Sequence, residues 1–341
     1  MISKAEQIQL RAMALKVQKQ REIKGSLLKF MLKDGQGNWK NAKHLDLLIK
    51  KLEKFVEDVR EGRSPRLIIC LPPRAGKSEL TTKKFPAWAL GNNPDWEMII
   101  ASYSSDLAEE FSRICRNTFR THQETFGEKL AADSNSVKEW GIEGKRGKLV
   151  ATGVGGAATG KGAHIAIIDD PIKNREEAQS GLKRQRVIDW YKSTIRTRLA
   201  PGGGLIVIQT RWHDQDLAGY LMDEMATGEG ETFETIILPA IAEENDVLGR
   251  KVGEALWPER FPLSELEKIR KAIGRLEWDS LYQQKPSIEG GGMFKSNQFK
   301  YFKLMGNNIV REDGSRVELE DCRIFQIADT AMKTAKQNDD T

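Results

Sequence analysis

The chain has 341 residues, of which 39% are hydrophobic and 30% charged, a length and composition typical of a soluble globular protein with a sizeable core. No apolar run is long enough to cross a bilayer, and the N-terminus lacks the apolar core of a signal peptide. We therefore expect a cytoplasmic protein with no membrane segment. The net charge of +5 suits a polyanionic partner such as DNA, although an ordinary solvated surface explains it as well.

Helical patterns fill the first sixty residues. Residues 3–33 are rich in Lys, Gln, Leu and Met and contain no proline, which predicts a helix that ends at the segment KDGQGN. A second helix is predicted over 45–59, where apolar residues recur at helical spacing until the turn signal EGRSP.

Short apolar strands then alternate with helices. An amphipathic helix is predicted over 106–120, and another after Ser78, which we expect Pro86 to kink or end. The glycine runs in GGGLIVI and EGGGM are interpreted as local turns. Strands are predicted at 67–71 and 97–104 and in KLVAT, HIAIID and LIVIQT. This alternation predicts an α/β fold with a mainly parallel sheet and helices on both faces.

The cysteines carry no site. All three are far apart and lie outside any cysteine or histidine cluster, which argues against disulfides and structural zinc. Cys70 lies within an apolar run, so we expect a buried small residue.

The stretch LPPRAGKS resembles a phosphate-binding loop. In G-x-x-x-x-G-K-[ST] the backbone amides surround the phosphates, the lysine reaches the outer phosphates and the hydroxyl binds Mg²⁺. Gly76, Lys77 and Ser78 match the second half, whereas Leu71 replaces the first glycine. A chance GKS in a surface turn is the alternative. The predicted strand before the loop and helix after it favour phosphate binding, because they bring the loop amides and the helix N-terminus to one point.

The segment HIAIIDD supplies the second part of an ATPase site. A Mg²⁺-binding carboxylate is expected at the carboxyl end of an apolar strand. Asp169 would hold Mg²⁺ through water, and Asp170 would orient or deprotonate the attacking water. Taken alone, the segment is equally consistent with a buried strand that runs into an Asp-Pro turn. Its occurrence together with GKS favours catalysis.

A third strand, in LIVIQTRWHDQDLAG, ends in Gln209 and Thr210. In phosphate-loop motors a polar residue at this strand end senses the γ-phosphate and relays hydrolysis to moving parts. A strand that simply ends in polar residues is an equally good interpretation of the segment alone. The following Arg211, Trp212 and His213 also suit a helix cap and the core.

Several segments together resemble one family, the large terminase subunit of tailed phages and prophages, a motor that packages DNA into a capsid. They occur in one order from about residue 40 to 294, which is more specific than any single motif. They are LIICLPPRAGKSEL, ASYSSDLAEEFSR, ATGKGAHIAIIDDPIKN, DWYKSTIRTRL, IVIQTRWHDQDLAGYL, LPAIAEE, LWPERFPLSELEKIR and YQQKPSIEGGGMF.

The resemblance implies a site for ATP and Mg²⁺ on an ASCE-type P-loop NTPase fold. Asp170, Arg74 and Thr210 would be catalytic, with Arg74 at the γ-phosphate, and Ser78 and Asp169 would hold the metal. A surface histidine at a helix start is the alternative for His44. The implied nucleotide-binding residues are Pro73, Arg74, Ala75, Gly76, Lys77, Ser78, Glu79 and His44.

The resemblance also implies four segments. Residues 1–60 would be helices that pack with a linker subdomain, 61–255 the ATPase core and 256–320 that small, mainly helical linker. Residues 321–341 would start an RNase H-like nuclease, with Asp329 as its first metal ligand. Because few residues follow Asp329, we expect the nuclease to be incomplete and inactive.

The implied partners are double-stranded DNA, a portal protein and a small terminase subunit, in the cytoplasm of an infected bacterium. The active form would be a homo-oligomeric ring in which an arginine of a neighbouring subunit completes the site. Another ASCE or helicase-like translocase and a nucleotide-binding module without turnover remain alternatives. The arginines considered for the neighbouring site are Arg113, Arg116, Arg120, Arg196 and Arg198.

Overall fold

The structure is a computed structural model that describes residues 4–156, 161–286, 302–311 and 314–322. The chain divides into two units, Met1–Ile288 and Glu289–Thr341. The first unit contains the predicted phosphate loop and the three predicted strand ends.

Within the described residues of the first unit, eight strands form one sheet. They are β1 (Arg66–Cys70), β2 (Glu97–Ser102), β3 (Leu130–Asn135), β4 (Glu139–Ile142), β5 (Lys148–Gly153), β6 (Ala163–Asp169), β7 (Leu199–Gln209) and β8 (Glu234–Ile237). Their order is β3-β4-β5-β2-β6-β7-β1-β8. In this spatial order, every pair of neighbouring strands from β5 onward is parallel. The pairs β3–β4 and β4–β5 are antiparallel. The predicted α/β class with a mainly parallel sheet is confirmed.

Helices cover both faces of this sheet. In the described residues they are α1 (Lys4–Gly25), α2 (Leu27–Asp34), α3 (Lys43–Arg60), α4 (Phe85–Asn92), α5 (Ser105–Thr121), α6 (Gln123–Phe126), α7 (Arg175–Gln179), α8 (Gly181–Trp190), α9 (Leu217–Thr227) and α10 (Leu263–Glu277). Helices α2 to α5 pack on one face, and α8 and α9 pack on the other. Among the helices described, none combines the length and hydropathy that crossing a bilayer requires.

The central strands are apolar along their length because both of their faces are buried. Leu67 and Ile69 of β1 join the core on one face, and Ile68 and Cys70 join the core on the other. Cys70 is fully buried, as predicted, and this burial raises the pKa of its thiol to about 12.

Two helix predictions need correction. The helix predicted over 3–33 is two helices, because the chain breaks at Ser26, whose Oγ accepts the Lys29 N–H at 3.4 Å and caps α2. Pro86 does not end the helix after Ser78. Residues Glu79–Lys84 form a π-helical turn that runs directly into α4, with Pro86 in the first turn of α4, so of the two expected outcomes, a kink or an end, the end of the helix is wrong.

The glycine run before LIVIQT belongs to β7 and is not a local turn. Close packing explains the glycines. A Cβ at Gly204 would lie 2.4 Å from the Phe55 ring of α3, and a Cβ at Gly202, which has φ +79°, would lie 2.7 Å from the Gly62 Cα. The absence of side chains therefore lets α3 approach the strand.

Strands β3, β4 and β8 were missed in the sequence. The β3 segment, LAADSN, is polar and partly exposed because it pairs on one side only, with β4, at the edge of the sheet. Strand β8 has four residues and pairs in parallel with β1. Neither segment carries the apolar run that marks a buried strand.

The region predicted as a mainly helical linker is helical only in its first part. Helix α10 and a π-helical turn at Trp278–Tyr282 agree with the expectation, but α10 is broken at Gly274, which has φ 77° and ψ 175°. In the second unit, the described residues within 302–311 and 314–318 form a three-stranded antiparallel sheet instead of helices. Its strands are β9 (Phe302–Met305), β10 (Asn308–Arg311) and β11 (Arg316–Glu318).

Candidate nucleotide-binding site

The predicted phosphate loop lies at the carboxyl end of β1, between that strand and the helical turns that start at Lys77. Two of its residues have left-handed backbone conformations, Arg74 with φ 59° and Gly76 with φ 87°. A Cβ at Gly76 would also lie 3.2 Å from the Leu45 side chain, so the positive φ and this tight approach both favour glycine there. Leu71, which replaces the usual first glycine, is fully buried in the core.

The Lys77 side chain points to the ends of two other strands. Its ammonium nitrogen donates to Thr210 Oγ1 at 2.8 Å, beyond β7, and lies 3.3 Å from Asp170 Oδ2, beyond β6. The lysine is 7% exposed. A buried ammonium needs partners of this kind, because leaving it unpaired would be costly.

Asp169 lies beneath the loop and is fully buried. Its carboxylate accepts hydrogen bonds from Ser78 Oγ at 3.0 Å and from Thr82 Oγ1. Burial, and then repulsion from Asp170, raise the pKa of Asp169 to about 7. Its negative charge therefore depends on a cation, which Lys77 supplies only in part.

Asp170 is the residue by which the chain leaves β6. Its φ of 45° is left-handed, a conformation that costs of order 1–3 kcal/mol in a residue with a side chain. Its Oδ1 accepts the Thr210 N–H at 2.8 Å, and its side chain is 28% exposed. The strained backbone thus directs a partly accessible carboxylate toward Lys77 and Thr210.

The loop after β7 is held by a buried ion pair. Arg211 Nε lies 3.0 Å from each carboxylate oxygen of Asp216, and both side chains are almost fully buried. The same carboxylate accepts the backbone N–H groups of Trp212, His213 and Gly219. Thus Arg211 acts with the cap of α9 to fix the loop that carries Thr210.

His44 is buried rather than exposed, so the alternative of a surface histidine is wrong. Its Nε2 lies 2.9 Å from the Ala75 carbonyl oxygen, and its ring packs edge-on to Trp257 with centroids 5.2 Å apart. Burial lowers the pKa of His44, which favours a neutral ring. Neutral imidazole can donate its one N–H to Ala75 and so support the phosphate loop from below.

The remaining predicted loop residues differ in exposure. Arg74 is exposed, and no hydrogen bond or ion pair to it is found within the described residues. Glu79 Oε2 accepts from Lys83 Nζ at 3.0 Å, and Pro73 borders the helical region near Phe261. Asp329, the predicted nuclease ligand, lies outside the described residues.

A cavity of about 500 Å³ opens beside the loop, and its wall was not predicted. Gly76 and Glu79 form one side, and Trp39 and Trp257 contribute aromatic surface. The Arg260 guanidinium carbon lies 5.1 Å from the centre of the Trp257 ring. Aromatic walls with a few charged groups suit a planar polar ligand. The available signals were Trp39, directly after the predicted break KDGQGN, and Trp257 in the segment LWPER.

The arginines considered for a neighbouring site occupy different places. Arg113, Arg116 and Arg120 lie on α5, where acidic residues in the first turn and basic residues in the last also suit the helix dipole. Arg196 pairs with Glu231, which also binds Arg66 at the amino end of β1, opposite the phosphate loop. Arg198 has a buried Nε without a partner in the described residues.

The oxygen atoms at the loop fit a magnesium ion. Ser78 and Asp169 are hard oxygen donors held 3.0 Å apart. Mg²⁺ usually takes one or two carboxylates and completes its shell with phosphate oxygens and water. In the part of the chain that the structure describes, no cluster of three or more His, Cys, Asp or Glu side chains is found. An ion held partly by phosphates needs no such cluster.

Comparison with solved structures gives distant similarities to phage terminases. The HK97 bacteriophage large terminase is 13% identical with a TM-score of 0.46, and the match covers 78% of this chain and 61% of that one. The Thermus phage P74-26 large terminase ATPase domain is 15% identical with a TM-score of 0.43, over 68% of this chain and 93% of that one. A large terminase from a thermophilic bacteriophage, solved in complex with ADP, is 11% identical with a TM-score of 0.40, over 69% and 52%.

Sequence comparison gives the family. Curated proteins include no significant relative of this sequence. The family model for the terminase large subunit, T4likevirus-type, N-terminal, matches residues 68–301. The match contains the phosphate loop, Asp169 and Asp170 at the end of β6, and Thr210, and it spans most of the chain. The chain therefore belongs to the family of T4-like terminase large subunits, of which it contains the N-terminal domain.

Proposed function

We propose that this chain is the ATPase motor portion of a large terminase, which hydrolyses ATP with Mg²⁺ to move double-stranded DNA through a portal protein into a procapsid. The observation that carries the proposal is the meeting of Lys77, Asp170 and Thr210 at one edge of a parallel sheet, with Asp169 and Ser78 directly beside them. These are the groups that phosphoryl transfer to water requires.

The phosphates would bind along the backbone amides of residues 74–78. Lys77 would exchange its contacts with Thr210 and Asp170 for phosphate oxygens, and the exposed Arg74 would reach the γ-phosphate. Ser78 and Asp169 would hold Mg²⁺, which supplies charge neutralisation between the outer phosphates. The base would enter the cavity beside the loop, between Trp39 and Trp257. His44 would support this arrangement by fixing Ala75.

Asp170 would orient the attacking water and accept its proton. The Thr210 N–H holds Asp170 Oδ1 and leaves the second oxygen beside Lys77. When Lys77 moves to the phosphate, this second oxygen becomes free to bind water. A module that only binds nucleotide has no need of a second carboxylate in this position.

The wider terminase setting follows from family membership and is proposed with it. The working form would be a ring in the cytoplasm of an infected bacterium, with a small terminase subunit as partner. Contacts to DNA would be mainly to phosphates, so binding would depend strongly on salt and weakly on sequence.

The test is steady-state ATP hydrolysis with Mg²⁺, with and without linear duplex DNA. We expect Lys77→Ala and Asp170→Asn each to lower turnover by about 100-fold or more, as loss of a transition-state contact does. Lys54→Ala, which removes an exposed lysine paired with Asp58, is the control and should keep wild-type turnover. Turnover that survives in Lys77→Ala would contradict the site. Nucleotide binding by the wild type without any hydrolysis would favour the binding module.

A further inference from the structure

Three segments of the first unit meet at the Arg175 guanidinium. Its Nε and one terminal nitrogen donate to the two carboxylate oxygens of Glu277 at 2.9 and 2.8 Å, and its other terminal nitrogen donates to the Trp212 carbonyl oxygen. The guanidinium carbon lies 5.5 Å from the centre of the Trp212 ring. One side chain thus joins the start of α7, shortly after β6, to the loop after β7 and to the end of α10.

Two of these segments lead directly to the proposed catalytic groups. Arg175 follows Asp170 by one short turn, in which Asn174 accepts the Glu177 N–H at 3.0 Å to cap α7. Trp212 is separated from Thr210 only by Arg211. Because the Thr210 N–H binds Asp170, a displacement at the end of β6 also moves the end of β7, and the reverse. Either displacement is passed along the chain to Arg175 or to its partner Trp212.

The third segment is hinged. We call residues 275–284 the hinged segment, because Gly274 immediately before it has a left-handed φ of 77° that interrupts α10. Space is available at this break, since a Cβ at Gly274 would meet nothing within 4 Å. Glu277 lies in the hinged segment. A second contact joins the end of this segment to the loop after β7, because the Arg211 N–H donates to Gln284 Oε1 at 3.2 Å.

A bound phosphate would compete for the Lys77 ammonium and remove a partner from both Thr210 and Asp170. The left-handed backbone of Asp170 is strained, so a change of its side-chain partners can be accompanied by a change in the strand end. A bidentate arginine–carboxylate pair is directional and transmits such a change as a movement of the bound group.

We propose that Arg175 is a positioning residue that couples nucleotide occupancy at the phosphate loop to the orientation of the hinged segment about Gly274. This inference rests on the proposed function, since it needs nucleotide at that loop. Arg175 contacts neither the phosphate loop nor the proposed reacting groups. Its effect is exerted through Trp212 and Glu277.

The test is amide hydrogen exchange of residues 275–284, with and without a non-hydrolysable ATP analogue and Mg²⁺. We expect nucleotide to change exchange in the wild-type segment by about fivefold or more, the lower end of ordinary coupling between sites. Arg175→Lys keeps the positive charge but cannot make the two parallel hydrogen bonds to the carboxylate, and Glu277→Gln removes the negative charge of that carboxylate. In both variants we expect the response to be lost while affinity for the analogue stays within about twofold.

Arg275→Ala is the matched control, because it removes an exposed arginine–carboxylate pair, Arg275 with Asp279, from the same segment. It should keep the full response. If Arg175 only stabilised the fold, Arg175→Lys and Glu277→Gln would change the melting temperature and leave the nucleotide-dependent change in exchange in place. If the response persists in both variants, or if the wild type binds the analogue without any response, the inference is wrong and the proposed function stands. If the wild type binds no nucleotide, the proposed function itself fails.

Discussion

The Lys77 ammonium lies 2.8 Å from Thr210 Oγ1, and the Thr210 N–H in turn lies 2.8 Å from Asp170 Oδ1. Thr210 therefore touches both the proposed phosphate-binding lysine and the proposed catalytic carboxylate. Its hydroxyl also lies 3.5 Å from the Leu71 carbonyl oxygen, at the point where β1 enters the phosphate loop. Through its hydroxyl and its backbone N–H, this one residue thus links the ends of β1, β6 and β7.

We expect Thr210→Val to lower ATP turnover by about tenfold while affinity for nucleotide changes little, because valine keeps the shape but cannot hold Lys77 or bond to Leu71. Single-turnover hydrolysis and nucleotide titration measure the two quantities separately. Thr227→Val, which removes an exposed hydroxyl on α9, is the control. Unchanged turnover in Thr210→Val would show that the hydroxyl has no part in hydrolysis.

The strand-end residues could be predicted from the sequence for a simple reason. Asp169, Asp170 and Thr210 directly follow apolar runs, and the carboxyl ends of parallel strands share one edge of a sheet. The cavity beside the loop could not be predicted in this way. Trp39 and Trp257 come from segments before and after the sheet, and only the packing of α3 against the phosphate loop brings them together.

His44 shows the same limit at a single residue. Its position at the start of an amphipathic helix was predicted, but its burial depends on Trp257 and Ala75, which no local pattern connects to it. The break of α10 at Gly274 was equally hidden, because an isolated glycine within a helical pattern is usually tolerated.

We expect His44→Phe to lower stability by about 1–3 kcal/mol, because the ring volume is kept but the Ala75 carbonyl loses its donor. Nucleotide affinity should fall as well, since that carbonyl belongs to the phosphate loop. Urea unfolding and nucleotide titration measure these effects. Wild-type stability and affinity in His44→Phe would contradict a supporting role for the histidine.

Acidification should reduce the difference between the wild type and His44→Phe. Burial lowers the pKa of His44 below its ordinary value of 6.5, so the folded protein binds the proton less readily than the unfolded chain. The stabilising contribution of the neutral ring is therefore present above the unfolded pKa and is lost as the pH falls below it. Unfolding curves from about pH 7 to about pH 5 should show the gap narrowing. A constant gap would mean that the ring stays neutral in both states.

Magnesium dependence should vary with pH because of Asp169. Burial and the neighbouring Asp170 raise the pKa of Asp169 to about 7, and Mg²⁺ binds the charged carboxylate. Apparent Mg²⁺ affinity in the presence of nucleotide should therefore rise about tenfold per pH unit below this pKa and level off above it. Asp170→Asn removes the repulsion and should shift the midpoint to lower pH. A flat pH dependence in the wild type would contradict the assignment of Asp169 as a metal ligand.

The buried Arg211–Asp216 pair should be far more important for stability than an exposed pair. Asp216→Ala leaves the Arg211 charge uncompensated and removes the acceptor of the Trp212, His213 and Gly219 amides, so we expect a loss of about 3–5 kcal/mol. Lys16→Ala, which breaks an ion pair whose side chains are 67% and 83% exposed, should cost no more than about 1 kcal/mol. Urea unfolding of both variants gives the comparison. Equal losses would mean that water reaches the pair in the folded protein, and the loop that carries Thr210 would then need another anchor.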